Sequence, residues 1–305
     1  LMVYRCSLLL LLASTALSCV QKSGASSDQP DTSNKPADLA ISSQADPKEK
    51  LLQFWDYYDF SDRAALQNPD SSEQRLVDFI AASTMTSDSI RDMATTKMLS
   101  KAKAYPAAFD YFLQQFEHYL YDPNSPARND AAYEPVLKFM LDSCQLDAAR
   151  RFKYQSRLEM ARKNKVSTLA TDFSFQLPSG KQSRLHNLKG EYILLFFYEP
   201  DCPHCQSGIA ELRENAGVKQ LVNLGTLNIF SMYAGDNTTL WKSFQSQVPA
   251  GWTNGYDPGN QIRKERKYDL RASPTIYLLS RDKKVLLKDS NLAEVGQYLK
   301  NNLAS

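Results

Sequence analysis

Cys202-Pro203-His204-Cys205 is the one place where cysteines come close in this 305-residue chain; the other three are Cys6, Cys19 and Cys144. Two thiols at this spacing suit reversible dithiol–disulfide chemistry, in which the thiolate is the attacking species. A helix opening at the motif puts the Cys202 sulfur at its N-terminus, where free N–H groups and the helix dipole favour thiolate. Pro203 then falls in the first turn, where its missing N–H costs nothing. A protonated His204 adds positive charge beside the sulfur, while Glu199 and Asp201 push the other way. Cys205, three residues on, can attack a mixed disulfide at Cys202 and release the reduced partner. A metal site needs two further ligands, but His118, His186 and His204 are the only histidines and no second paired motif exists, so neither metal nor cofactor is expected. Haem attachment fails because Gln206, not His, follows Cys205.

The elements that must position this motif follow from the pattern after Lys165, where short strands alternate with helices. Residues Ala170 to Leu177 and the turn at Ser179-Gly180 suggest a leading hairpin. Tyr192 to Tyr198 is a near-continuous apolar run, as expected of a strand buried on both faces. Next come a helix from Cys202 to about Asn215, a strand at Leu227–Tyr233, and helices at Thr238–Phe244 and Gln261–Tyr268. Strands at Thr275–Leu279 and Lys284–Leu287 and a helix at Leu292–Leu303 close the chain. This order implies an α/β domain with a mixed sheet flanked by helices.

The segment Phe196-Phe197-Tyr198-Glu199-Pro200-Asp201-Cys202-Pro203-His204-Cys205, with Ser273-Pro274-Thr275 before a late strand, resembles the thioredoxin fold. Ala170-Thr171-Asp172-Phe173 and Leu185-His186-Asn187-Leu188 make residues 166–305 most similar to the TlpA/ResA branch of membrane-tethered thiol-disulfide oxidoreductases. The resemblance implies that Pro274 is a cis-proline facing the cysteine pair and, with Ser273 and Thr275, binds an extended substrate backbone. It implies exchange of disulfides with envelope proteins through Cys202 and Cys205, as a reductase supplied by an upstream electron donor. Pro203-His204 is also the pair of the oxidase DsbA, so a DsbA-like oxidase remains an alternative. Two positions depart from the pattern. Phe196 stands where thioredoxins carry a buried Asp, and Gly208 where some ResA-like proteins place a Glu. Water, or Glu199 turned inward, must then take the proton of the second thiol. A peroxiredoxin-type peroxidase usually has Thr or Ser three before its reactive cysteine, where this chain has Glu199. The non-enzymatic alternative is a binding or scaffold lipoprotein with a static disulfide.

Arg5, the Leu8–Leu12 run and the small residues Ala13 to Ser18 read as a secretory signal peptide over 1–18. Ala16-Leu17-Ser18-Cys19 resembles a bacterial lipobox, which implies lipidation of Cys19. Acyl chains add about 0.8 kcal/mol per buried methylene, so several on one cysteine anchor it durably. Residues 19–46 are polar and read as a flexible tether, giving an extracytoplasmic, lipid-anchored protein facing the periplasm. With 36 basic against 34 acidic residues the net charge is +2, which argues against a nucleic-acid partner.

Residues 47–165 carry helical periodicity and are read as an all-α domain. Phe109, Phe112, Leu113, Phe116, Tyr119 and Leu120 form a stripe behind Pro106. Leu76, Phe79 and Ile80 follow a candidate cap at Asp70 with Glu73 three residues on, and Leu51, Leu52, Trp55 and Tyr58 add further apolar faces. Cys144 reads as a small buried hydrophobe. Arg150, Arg151, Lys153, Arg157, Arg162, Lys163 and Lys165, opposed only by Glu159, read as a solvated face, with contact to anionic headgroups as the lesser alternative.

Overall fold

A computed structural model describes residues 46–303. The expected signal peptide, the lipidation site Cys19 and all but the last residue of the tether lie outside the described residues. Among the described residues no helix is long and apolar enough to cross a membrane.

The first part is helical: α1 (Pro47–Gln53), α2 (Arg63–Leu66), α3 (Gln74–Thr84), α4 (Asp88–Ala102), α5 (Pro106–Phe116), α6 (Asp130–Ser143) and α7 (Ala148–Arg162). Local chemistry starts these helices. Asn129 caps α6 by accepting from Ala132 N–H at 2.9 Å, Asp147 caps α7 through Arg150 N–H at 2.8 Å, and prolines open α1 and α5. Tertiary packing holds them. Phe112 meets Trp55, Tyr58 and Phe60 edge-on at 5.2–5.8 Å, contacts worth about 0.5–1.5 kcal/mol each beyond their area.

Three expectations here need correction. Asp70 and Glu73 form no capping box: they lie in a wide turn, Pro69–Glu73, and the Glu73 carboxylate accepts from Tyr119 OH at 2.5 Å. Cys144 is half-buried just past α6, its Sγ 3.8 Å from Met140 Sδ, because the helix ends beneath it. The basic stretch is solvated at Arg150, Arg151, Lys153 and Arg162, as expected, but Glu159 is not its only counter-charge. Arg157 and Lys153 pair with Glu117, Arg162 and Lys165 pair with Glu134, and Arg157 stacks on Tyr121 at 3.9 Å.

The second part is a seven-stranded mixed sheet. Its strands are β1 (Ser174–Gln176), β2 (Gln182–Arg184), β3 (Tyr192–Phe197), β4 (Leu227–Tyr233), β5 (Thr253–Tyr256), β6 (Thr275–Ser280) and β7 (Val285–Lys288), in the order β2-β1-β5-β4-β3-β6-β7. β3 lies parallel to β4 and antiparallel to β6, and both of its faces are covered. Ile193, Leu195 and Phe197 point into a core with Phe173, Phe230 and Tyr277; Leu194, Phe196 and Tyr198 point into the other, beneath the helices. The helices are α8 (Pro203–Glu214), α9 (Ala216–Asn223), α10 (Thr238–Phe244), α11 (Gln261–Lys264) and α12 (Leu292–Leu303). The helix expected over 261–268 stops at Lys264, where Lys267 N–H turns back to Ile262 O and Arg266 takes φ 49°.

Candidate active site

Strand β3 ends at Phe197, and the chain turns through Tyr198–Asp201 into α8. Cys202 N–H donates to Glu199 O at 3.1 Å and Gln206 Nε2 to Pro200 O at 2.8 Å, which closes the turn. Cys202 is the N-cap of α8: its Sγ accepts from Cys205 N–H at 3.4 Å. Pro203 occupies the first helical position and needs no acceptor. The Cys202 thiol is half-buried and donates to Ser273 O at 3.6 Å, and the Ser273–Pro274 peptide is cis. Thr275 is buried, with its hydroxyl donated to Ala272 O at 2.7 Å, so the side chain closes its own loop. The fold thus brings Cys202, Pro203, Cys205, Ser273 and Pro274 together, while the exposed His204 points to solvent.

Cys205 is fully buried, among Phe196, Tyr198, Ile209 and Ile276. Burial pushes its thiol well above the usual range, against a backbone N–H of Glu199 that favours the thiolate. The two sulfurs therefore differ in kind: one sits at the surface on a helix end, the other in a dry pocket behind it.

The two departures from the thioredoxin pattern are one feature. A Cβ on Gly208 would lie 3.2 Å from Phe196 Cζ, so the missing side chain at 208 makes room for the ring at 196. An apolar pad fills the space where an acid is expected. Glu199, the remaining candidate acid, does not turn in freely. Its Oε1 accepts from Arg263 Nη2 at 2.5 Å, and Arg263 is itself held by Ala234 O and Leu270 O. Burial raises the Glu199 carboxyl even so, with Arg263 opposing. Nothing local in the sequence points to Arg263, which reaches across 64 residues.

Residues 44–164 match a domain of unknown function, DUF5106, and residues 166–287 match the AhpC/TSA family. A crystal structure of a thioredoxin-like protein from Bacteroides caccae is 32% identical over 90% of this chain and 99% of its own, with a TM-score of 0.80. The chain belongs to the thioredoxin-like family. The C-terminal domain of an uncharacterized protein from Bacteroides fragilis is 37% identical over 45% of this chain and 98% of its own, with a TM-score of 0.44. A search of curated proteins returned no match. In this thioredoxin-like protein an AhpC/TSA thioredoxin-like domain follows a helical DUF5106 region.

Proposed function

We propose that this thioredoxin-like protein is a thiol-disulfide oxidoreductase of the cell envelope, held to a membrane through a lipidated Cys19. The observation that carries the reading is the asymmetry of the cysteine pair: half-buried Cys202 at the start of α8 beside cis Pro274, and fully buried Cys205 one turn behind. The Cys202 thiolate attacks one sulfur of a partner's disulfide, forming a mixed disulfide and expelling the partner's other sulfur as a thiolate. Cys205 gives its proton to water, attacks Cys202 Sγ and releases the second partner thiolate. Two electrons pass to the partner and a Cys202–Cys205 disulfide remains. An upstream dithiol donor then reduces it.

The environment of Cys202 supports the reductase direction. His204 is exposed, so water and salt screen any charge on it, Asp201 stands on the same turn, and the Arg263 guanidinium is paired with Glu199 and adds no net charge. Little positive charge is concentrated there to favour the reduced form as strongly as in a thiol oxidase. Glu199 stands three before Cys202, where a peroxiredoxin-type peroxidase usually has Thr or Ser.

A Cys205→Ser variant expressed in cells tests the reading. Adducts on Cys202 that dissolve with reductant and vanish in the Cys202→Ser/Cys205→Ser double variant are expected, and their protein partners can be identified. Absence of any adduct would reject the exchange function.

A further inference from the structure

The helical part and the sheet meet in a buried ion cluster beside the cysteine site. Arg128, on the loop before α6, has a side chain only 8% exposed and donates to Asp269 Oδ2 at 2.9 Å and Asp289 Oδ2 at 3.1 Å. Arg271 binds the same Asp269 at 2.6 Å, donates to Tyr121 O at 3.2 Å and lies 3.7 Å over the Tyr121 ring. Lys288 Nζ sits 2.7 Å from Asp130 Oδ2 while donating to the carbonyls of Ala161 and Lys163. The segment running into Ser273-Pro274 is therefore clamped to the helical part.

Between them lies an open cleft of about 350 Å³. Pro274 and Ile276, with Asn291 and Glu294 at the start of α12, form one wall; Pro123, Ser125 and Pro126 of the helical part form the other. Two buried polar atoms of lining residues, Asp289 Oδ1 and Ser290 Oγ, have no hydrogen-bond partner. A buried polar group left unpaired is unfavourable, and a ligand that meets it gains that difference.

We propose that the 122–129 loop of the helical part is the second wall of the groove that takes the partner polypeptide, so that the helical part selects which disulfides reach Cys202. The inference rests on the proposed oxidoreductase function and names its partner as an extended chain flanking the reactive cysteine. Pro274 continues directly from Ser273, whose carbonyl accepts the Cys202 thiol, so a chain bonded at Cys202 Sγ enters this cleft in one of its two directions. A cleft of about 350 Å³ takes a short stretch of extended backbone but not a helix roughly 10 Å across. A small disulfide has nothing to place there.

The test uses pre-reduced protein in single turnover against two probes: a peptide disulfide with several residues on each side of its cysteine, and the small aromatic disulfide DTNB. Pro126→Trp, on the exposed rim, should lower the ratio of peptide rate to DTNB rate about tenfold, whereas Asn124→Trp, on the same loop but off the lining, should leave both rates unchanged. An unchanged ratio in Pro126→Trp overturns the inference. A photo-crosslinking residue at position 126 of a Cys205→Ser protein carrying the peptide on Cys202 gives a second reading that does not depend on rates. Crosslinking to the peptide is expected from 126 and not from 124, and none from 126 overturns the inference. Wild-type protein that reacts with neither probe rejects the oxidoreductase function itself, and this inference falls with it.

Discussion

Asp289→Asn should stabilise the protein at alkaline pH and leave it nearly unchanged in acid. The Asp289 side chain is 9% exposed, and burial lifts its carboxyl from 3.8 to about 6 although Arg128 and Lys288 oppose the shift; Asp130 and Asp269 add repulsion. Below about pH 4 the acid is largely neutral both in the fold and in the unfolded chain, so it carries no penalty there. As pH rises toward 6 the unfolded chain ionises freely while the fold resists, and the stability present at low pH is lost through that range. A shift of about two pKa units corresponds to about 3 kcal/mol, reached above roughly pH 7. The amide carries no charge to desolvate and still accepts from Arg128. Urea unfolding of both proteins at about pH 4 and about pH 8 should give a difference near zero in acid and about 3 kcal/mol in favour of Asn in base. A difference that does not change with pH, or a less stable Asn protein at pH 8, would show that the Asp289 carboxyl bears no burial penalty.

Brief alkylation at neutral pH followed by peptide mapping should label Cys202 first, half-buried Cys144 more slowly because burial raises its thiol, and fully buried Cys205 hardly at all; equal labelling of the three would contradict the site geometry. Gly208→Ala gains about 1 kcal/mol of helix propensity but forces a methyl against the buried Phe196 ring at a cost of about 1–3 kcal/mol, so it should be net destabilising. Phe196→Leu should relieve the clash and give a coupling of about 1 kcal/mol in a double-mutant cycle, where strict additivity would disprove the packing argument. Intact-mass analysis of membrane-extracted protein should find a mature form beginning at acylated Cys19, and an unprocessed chain would rule out the anchor.

The parts of the fold that were legible in the sequence are those whose signal is local. The Tyr192–Tyr198 run reads as a doubly buried strand because every residue is apolar, and α8 reads from Pro203 at its first position. Strand β5 escaped because Thr253-Asn254-Gly255-Tyr256 does not look like one. Its Gly255 is needed where a Cβ would fall 2.6 Å from Phe230 Cε2, and its Asn254 is a buried acceptor for Tyr198, Ser231 and Trp241. Both requirements come from neighbours distant in sequence. The cysteine pair and Pro274 stood out by type and spacing, but Arg263 and Arg128 did not. Their carboxylate partners lie 64 residues away for Arg263, and 141 and 161 away for Arg128, and no spacing rule connects such pairs. Phe196 and Gly208 were each visible as departures; only the packed ring shows that they are a single substitution of shape.

Equilibration of the protein with graded glutathione buffers, read by the fraction of Cys202–Cys205 disulfide, decides whether the pair is redox-active. A reductase or exchange catalyst with an exposed His204 and a dry Cys205 should form the bond reversibly, with a potential between about −270 mV and about −120 mV. A value near the upper limit would overturn the reductase direction, and a bond that stays closed below about −300 mV would make the pair a structural staple and rule out thiol-disulfide exchange.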